Sequence, residues 1–132
     1  TIHQLLSGDG MALTVHGFQS TTSAYRIVQE TASGATVLTD VVGSGGSIYC
    51  ITIVNSDQAN QGVTKFFLSS RDTPTLGTTE PDLALYCPAN TSARFEYPQG
   101  LSFKALTFAT TRNFATSDTT APGTTKVILL CR

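Results

Sequence analysis

The side chains in this sequence that could do chemistry are two histidines, three cysteines, nine acidic residues and four tyrosines. His3 and His16 would have to supply any imidazole, for a nucleophilic relay or a metal site. Neither has a cysteine or carboxylate at a ligand spacing, and none of the many serines is marked out as a partner. Glu80 and Asp82 flank Pro81 as a hard-cation pair would, but calcium takes about six or more oxygen ligands and no Asp-rich loop surrounds them. Asp9, Asp40, Asp57, Asp72 and Asp118 lie near Gly, Ser, Thr or Asn, the setting in which carboxylates close turns. Cys50, Cys87 and Cys131 are odd in number and follow no zinc spacing. They lie in apolar, strand-like stretches and read as buried free thiols of a protein made in a reducing cytosol, with one disulfide plus a spare thiol as the alternative. Tyr25, Tyr49, Tyr86 and Tyr97 could build a sugar platform. Trp is absent, however, and three of the four sit within apolar alternation, so packing in a core or interface is the expected role. Asn90-Thr91-Ser92 fits a glycosylation acceptor pattern that also arises often by chance. The sequence therefore marks out no catalytic residue, no cofactor-binding residue and no metal ligand, and the chain is read as a non-enzyme.

The elements that would position these groups are short strands. Residues 48–54 are apolar on both faces, as a central strand would be, and residues 64–68 repeat the theme. The two are expected to form a core hairpin around the polar loop 55–62. Residues 93–97 alternate cleanly between inward Ala93, Phe95 and Tyr97 and outward Arg94 and Glu96, and Pro98-Gln99-Gly100 is expected to turn the chain. Residues 101–110 follow as a strand whose faces switch near Ala105, which predicts a bulge there. Residues 83–87 form a short strand bracketed by prolines, and 126–131 a dense apolar strand expected in a sheet interior. Earlier, 11–18, 24–29 and 35–42 read as strands between polar turns. Residues 1–10 are expected to be an arm, with 11–132 as one domain. Loops 70–81 and 112–125 suit connections between sheets and surfaces that touch partners.

No window carries a convincing helical stripe, and about eight short strands at this spacing predict an all-β protein. The expected architecture is an antiparallel, jelly-roll-like β-sandwich rather than an up-and-down barrel. Composition agrees: the chain has 132 residues, 13% of them charged, and hydroxyl side chains are abundant, with 22 Thr and 12 Ser. Threonine is β-branched, which favours strands over helices. A net charge of −1 argues against a nucleic-acid partner, because phosphate binding needs clustered Lys and Arg. No apolar run approaches a membrane span, and residues 1–10 lack the basic and apolar regions of a signal peptide, so no membrane partner is expected.

Three runs in the second half work together as a scaffold of fixed loops. They are Pro74-Thr75-Leu76-Gly77-Thr78-Thr79-Glu80-Pro81-Asp82-Leu83, Cys87-Pro88-Ala89-Asn90 and Tyr97-Pro98-Gln99-Gly100-Leu101-Ser102-Phe103. Prolines set φ, and Gly77 can take a positive φ, so a long loop can hold one shape without a helix. Over residues 47–132 this pattern resembles small virion proteins of tailed bacteriophages; residues 1–46 match nothing. The resemblance implies a β-sandwich on a phage particle, made in the bacterial host cytoplasm, either a head decoration (cement) protein or a small fibre, knob or tail component. It also implies binding to the major capsid protein or other virion proteins, with a homo-oligomer, a trimer, as the expected assembly. The alternative is a fibre-type module whose loops 70–81 and 112–125 contact host glycans.

Overall fold

The computed structural model describes residues 2–6, 12–17 and 25–132. Nine strands are present, with no helix among the described residues: β1 (Ile2–Leu6), β2 (Ala12–Gly17), β3 (Arg26–Glu30), β4 (Gly46–Asn55), β5 (Gly62–Phe67), β6 (Leu83–Cys87), β7 (Thr91–Phe103), β8 (Thr107–Thr111) and β9 (Thr125–Cys131). All pair antiparallel, in a six-stranded sheet of order β1-β2-β3-β9-β4-β7 and a three-stranded sheet of order β6-β5-β8. Leu38 bridges Phe108 and extends the smaller sheet by one position beyond β8. From β3 onward the chain crosses between the sheets at every connection except β5 to β6, so that β3-β9-β4-β7 opposes Leu38-β8-β5-β6, which is jelly-roll topology. The expected fold class holds, with β1 and β2 added at the edge.

Strand periodicity explains how the sheets meet. Val28, Ile51, Ile53, Val127 and Leu129 from the larger sheet pack with Phe66, Leu85, Leu106 and Phe108 from the smaller side. Phe66 and Phe108 meet as a tilted pair with centroids 5.8 Å apart. Each such fully buried side chain contributes about 1.5–3 kcal/mol of hydrophobic stabilisation. Threonine also enters the interior: Thr64, Thr107, Thr110, Thr111 and Thr125 are buried. A hydroxyl chain runs from Ser33 Oγ to Thr110 Oγ1 (2.8 Å) and on to Thr64 Oγ1 (3.0 Å), its partner on the neighbouring strand, so these buried polar groups satisfy one another.

Several local expectations are corrected. β4 and β5 do not form a hairpin but lie in different sheets, and 55–62 carries the chain between them. Buried Asn55 forces that exit, donating through Nδ2 to the carbonyls of Asn60 (2.9 Å), Cys87 (3.4 Å) and Pro88 (3.2 Å). Pro98-Gln99-Gly100 is not a chain reversal, because β7 continues through it. Its register against β4 jumps from Cys50↔Glu96 to Ile48↔Leu101, leaving Tyr49 facing an irregular stretch in which Gly100 takes φ 82°. Proline is tolerated there because β7 is an edge strand. The face switch near Ala105 marks the crossing from β7 to β8 rather than a bulge. Within 35–42 the expected strand is reduced to the Leu38 bridge, after which Val41 N–H donates to Leu106 (2.9 Å). Loop 70–81 joins β5 to β6 within one sheet, whereas 112–125 does cross between sheets. In the expected arm, residues 2–6 form edge strand β1; residues 1 and 7–10 lie outside the described residues.

Gly46, at the start of β4, lies hard against the residue that follows β9. A Cβ there would collide with the carbonyl of Arg132 and press on the Phe103 ring. Gly46→Ala is expected to lower unfolding free energy by about 2 kcal/mol, measured by urea denaturation, because the obstacle is backbone and cannot swing away.

Candidate assembly surface

Several of the described residues with chemical potential make structural bonds. β1 and β2 carry His3 and His16 on adjacent backbones, in a register where Ile2 rather than His3 opposes His16. Among the described residues, no three His, Cys, Asp or Glu side chains gather as a metal site. Glu80 and Asp82 diverge. Asp82 Oδ2 accepts from the backbone of Leu68 (2.6 Å) and Ser69 (3.1 Å), while Glu80 accepts from the Thr116 hydroxyl (2.7 Å). Asp57 accepts from Ala59 N–H, the Asn60 amide, and Gly123 N–H at 2.6 Å just before β9, and these bonds hold its carboxyl well below the usual range. Desolvation raises Asp118, but the backbone donors of Thr120 and Asn113, the Thr120 hydroxyl and the Lys65 charge together lower it. All three cysteines are free, and burial pushes the Cys131 thiol up to about 11, opposed by the charge of Arg26.

The outer face of the three-stranded sheet would be exposed in a bare sandwich, yet Val63, Lys65 and Phe67 are all buried. The two long loops cover it. Lys65 is the key side chain, with its Nζ donating to the carbonyls of Ala115 (2.8 Å) and Asp118 (3.3 Å) beneath loop 112–125. Desolvation lowers its pKa, and the Asp118 charge opposes the shift. The loops also hold each other, through Thr116 and Glu80 and where Gly77, at φ 96°, lets Thr119 approach. Sequence alternation gave Lys65 only a polar position; a lone lysine among Val63, Phe66, Phe67 and Leu68 was the signal of a buried tether.

Beside this pinned cover stand Tyr86, on β6, and Phe114, on the loop 112–125, the large hydrophobics most exposed among the described residues, at 40% and 54%. Their rings stack at 6.0 Å, and the amides of Gln61 and Asn113 bond beside them (3.3 Å). The other tyrosines are half-buried: Tyr25 meets Tyr49 edge-on at 5.6 Å with Arg132 over its ring, and burial raises Tyr97. Near the β6 and β7 edge, a groove of about 470 Å³ runs between Leu68, Leu83, Leu101 and Phe103.

The larger sheet has a different outer face. Its inward positions alternate with outward Ile27, Cys50, Thr52, Val54, Ile128 and Leu130, none of which joins the core cluster. Register sets them in rows: Ile27, Leu130, Cys50 and Glu96 in one, and Gln29, Ile128, Thr52 and Arg94 in the next. No helix among the described residues is long and apolar enough to cross a membrane.

No family model matches the chain, and no curated protein matches it. Among solved structures it is similar to FeII HppE, at 13% identity and TM-score 0.41, covering all of this chain but only 56% of that one. It is also similar to Drosophila melanogaster CENP-C bound to CAL1, at 3% identity and TM-score 0.30 over 99% of this chain and 81% of that one. Neither likeness is deep enough to bear on function. The fold and its surfaces define the class: a jelly-roll sandwich with one loop-covered face and one apolar open face.

Two outcomes test this account. Lys65→Met keeps the apolar stem but leaves two carbonyls without their donor, so stability should fall by about 1–2 kcal/mol, with faster amide exchange confined to 112–125. The raised Cys131 thiol means that the folded state holds its proton longer than the unfolded chain. Its stabilisation is complete below pH 9 and is lost as pH rises through about 11. Unfolding measured at pH 8 and pH 11 should show about 2 kcal/mol less alkaline loss in Cys131→Ala than in the parent.

Proposed function

We propose that the protein is a structural component of a bacteriophage particle, a capsid decoration (cement) protein that binds and stabilises the major capsid shell and acts as a homo-oligomer. The observation that supports this most directly is the aromatic pair of Tyr86, on strand β6, and Phe114, on the loop 112–125 that Lys65, Glu80 and Asp118 fix in place. A rigid aromatic anchor ringed by short polar side chains loses little conformational entropy on docking, and aromatic anchors carry much of the energy of protein interfaces. The resemblance over residues 47–132 supplies the phage setting. A host-glycan-binding fibre or knob module is the second reading, favoured by the Gln61 and Asn113 amides beside the same rings, since sugars stack on aromatics and bond to amides.

Purified particles should carry the chain in stoichiometric, symmetry-related copies on the head; a single location at the tail overturns the cement reading. Replacing Tyr86 and Phe114 together with alanine should weaken binding to shells lacking the protein about 30-fold, or ~2 kcal/mol, while the melting midpoint moves little. Unchanged shell binding combined with a positive glycan array that the same double variant abolishes would favour the fibre reading.

A further inference from the structure

The outer face of the six-stranded sheet lies on the side of the sandwich opposite the aromatic pair, and its chemistry is self-complementary. We propose that it binds a second copy of this chain face to face, about a two-fold axis that crosses the strands between the Leu130 row and the Ile128 row. This goes beyond the capsid-binding reading, which concerns the other sheet.

Rotation about that axis lays each row of one copy over the neighbouring row of the other. Leu130 then meets Ile128, Cys50 meets Thr52, and Glu96 meets Arg94, each contact occurring twice by symmetry. The centre is apolar, and the charges fall at the β7 margin with opposite signs opposed. Within one chain Arg94 and Glu96 already lie 3.2 Å apart, both 65% exposed, so docking converts two exposed pairs into an alternating square of four charges. The cost falls at the far ends of β9, where Lys126 approaches Arg132 of the second copy. Arg132 is drawn toward the Tyr25 ring, and the roughly 30° angle between packed sheets carries these corners apart.

Pairing through the sheet edge is the competing mode, and β7 resists it. Pro98 has no N–H to offer, the irregular stretch opposite Tyr49 bends the strand, and Arg94 and Glu96 flank its exposed course. Four strands at about 4.8 Å spacing and four rows of side chains give roughly 500 Å² per partner. That is the low end for a specific interface, so the dimer should form with a Kd on the order of 10 µM and be sensitive to salt.

Sedimentation velocity on the full chain, from about 5 to 200 µM, tests the proposal. The parent should pass from monomer to dimer. Arg94→Glu should weaken association about tenfold by opposing like charges, and the double variant Arg94→Glu/Glu96→Arg should restore it by exchanging them. Ile128→Lys should be monomeric throughout. Circular dichroism confirms that each variant is folded, and the two charge variants are surface changes that leave the core intact. A parent that stays monomeric at 200 µM, a parent that forms a trimer, or a double swap no stronger than the single reversal overturns the proposal. Shell binding separates the two readings: folded, monomeric Ile128→Lys that still binds shells leaves both standing, whereas a dimeric parent that fails to bind shells overturns the cement reading alone.

Discussion

The strand that ends the described chain sits between β3 and β4, and the larger sheet depends on that insertion. Without β9, β3 with its outer hairpin has no bond to β4 with β7, and the face that meets the smaller sheet is split. The pairing joins residues 26–30, 46–55 and 125–131, so most of the stabilising geometry is non-local and forms only after long loops close. Such a strand must be apolar toward the core, and Val127, Leu129 and Cys131 are. It is also apolar on its other side, where Ile128 and Leu130 point away from the sandwich. Core packing accounts for the first set and leaves the second unexplained, which is why the outer face asks for a partner.

The smaller sheet has the reverse problem. Three strands and one bridge give a narrow layer whose outward Val63, Lys65 and Phe67 would be wet, and long loops solve this by folding over them. A loop laid on a sheet brings backbone polar groups that need partners. Lys65 supplies donors for two carbonyls, while Asp57, Asp82 and Asp118 supply acceptors for N–H groups. Loops fixed this way are poor hinges and good platforms.

Element type for residues 48–54, 93–97 and 126–131, and the in/out sense of 93–97, were legible in the sequence because alternation encodes which side chains are buried; in 48–54 the irregularity at Tyr49 moves Ile48 to the face of Ile51 and Ile53, which simple alternation does not report. Connectivity was not. Whether 55–62 returns within a sheet or crosses to another depends on the Asn55 amide reaching Cys87 and Pro88, residues more than thirty positions away. Pro98-Gln99-Gly100 has the local chemistry of a turn. Pairing with β4 on both sides of the irregularity keeps β7 a single strand, a long-range constraint that no local signal reports. The strand apolar on both faces misled in a different way: a doubly apolar pattern predicts burial on two sides, and the fold supplies only one of them.

The scarcity of charge follows from the same architecture. Lys65 is buried, Asp40 pairs with Arg71 at 3.0 Å, and several carboxylates cap backbone donors, so few charged groups are left to keep copies apart. Threonine fills both the interior, as in the Ser33, Thr110 and Thr64 chain, and the half-buried outward position at Thr52. A hydroxyl on a short branched side chain can satisfy a hydrogen bond within its own sheet while offering a methyl group to a neighbouring surface, and it loses less rotamer freedom on burial than lysine or glutamate. A sandwich built this way holds its shape through internal bonds and leaves broad, weakly charged faces, and such faces dock on other proteins more readily than they bind phosphate or stay dispersed.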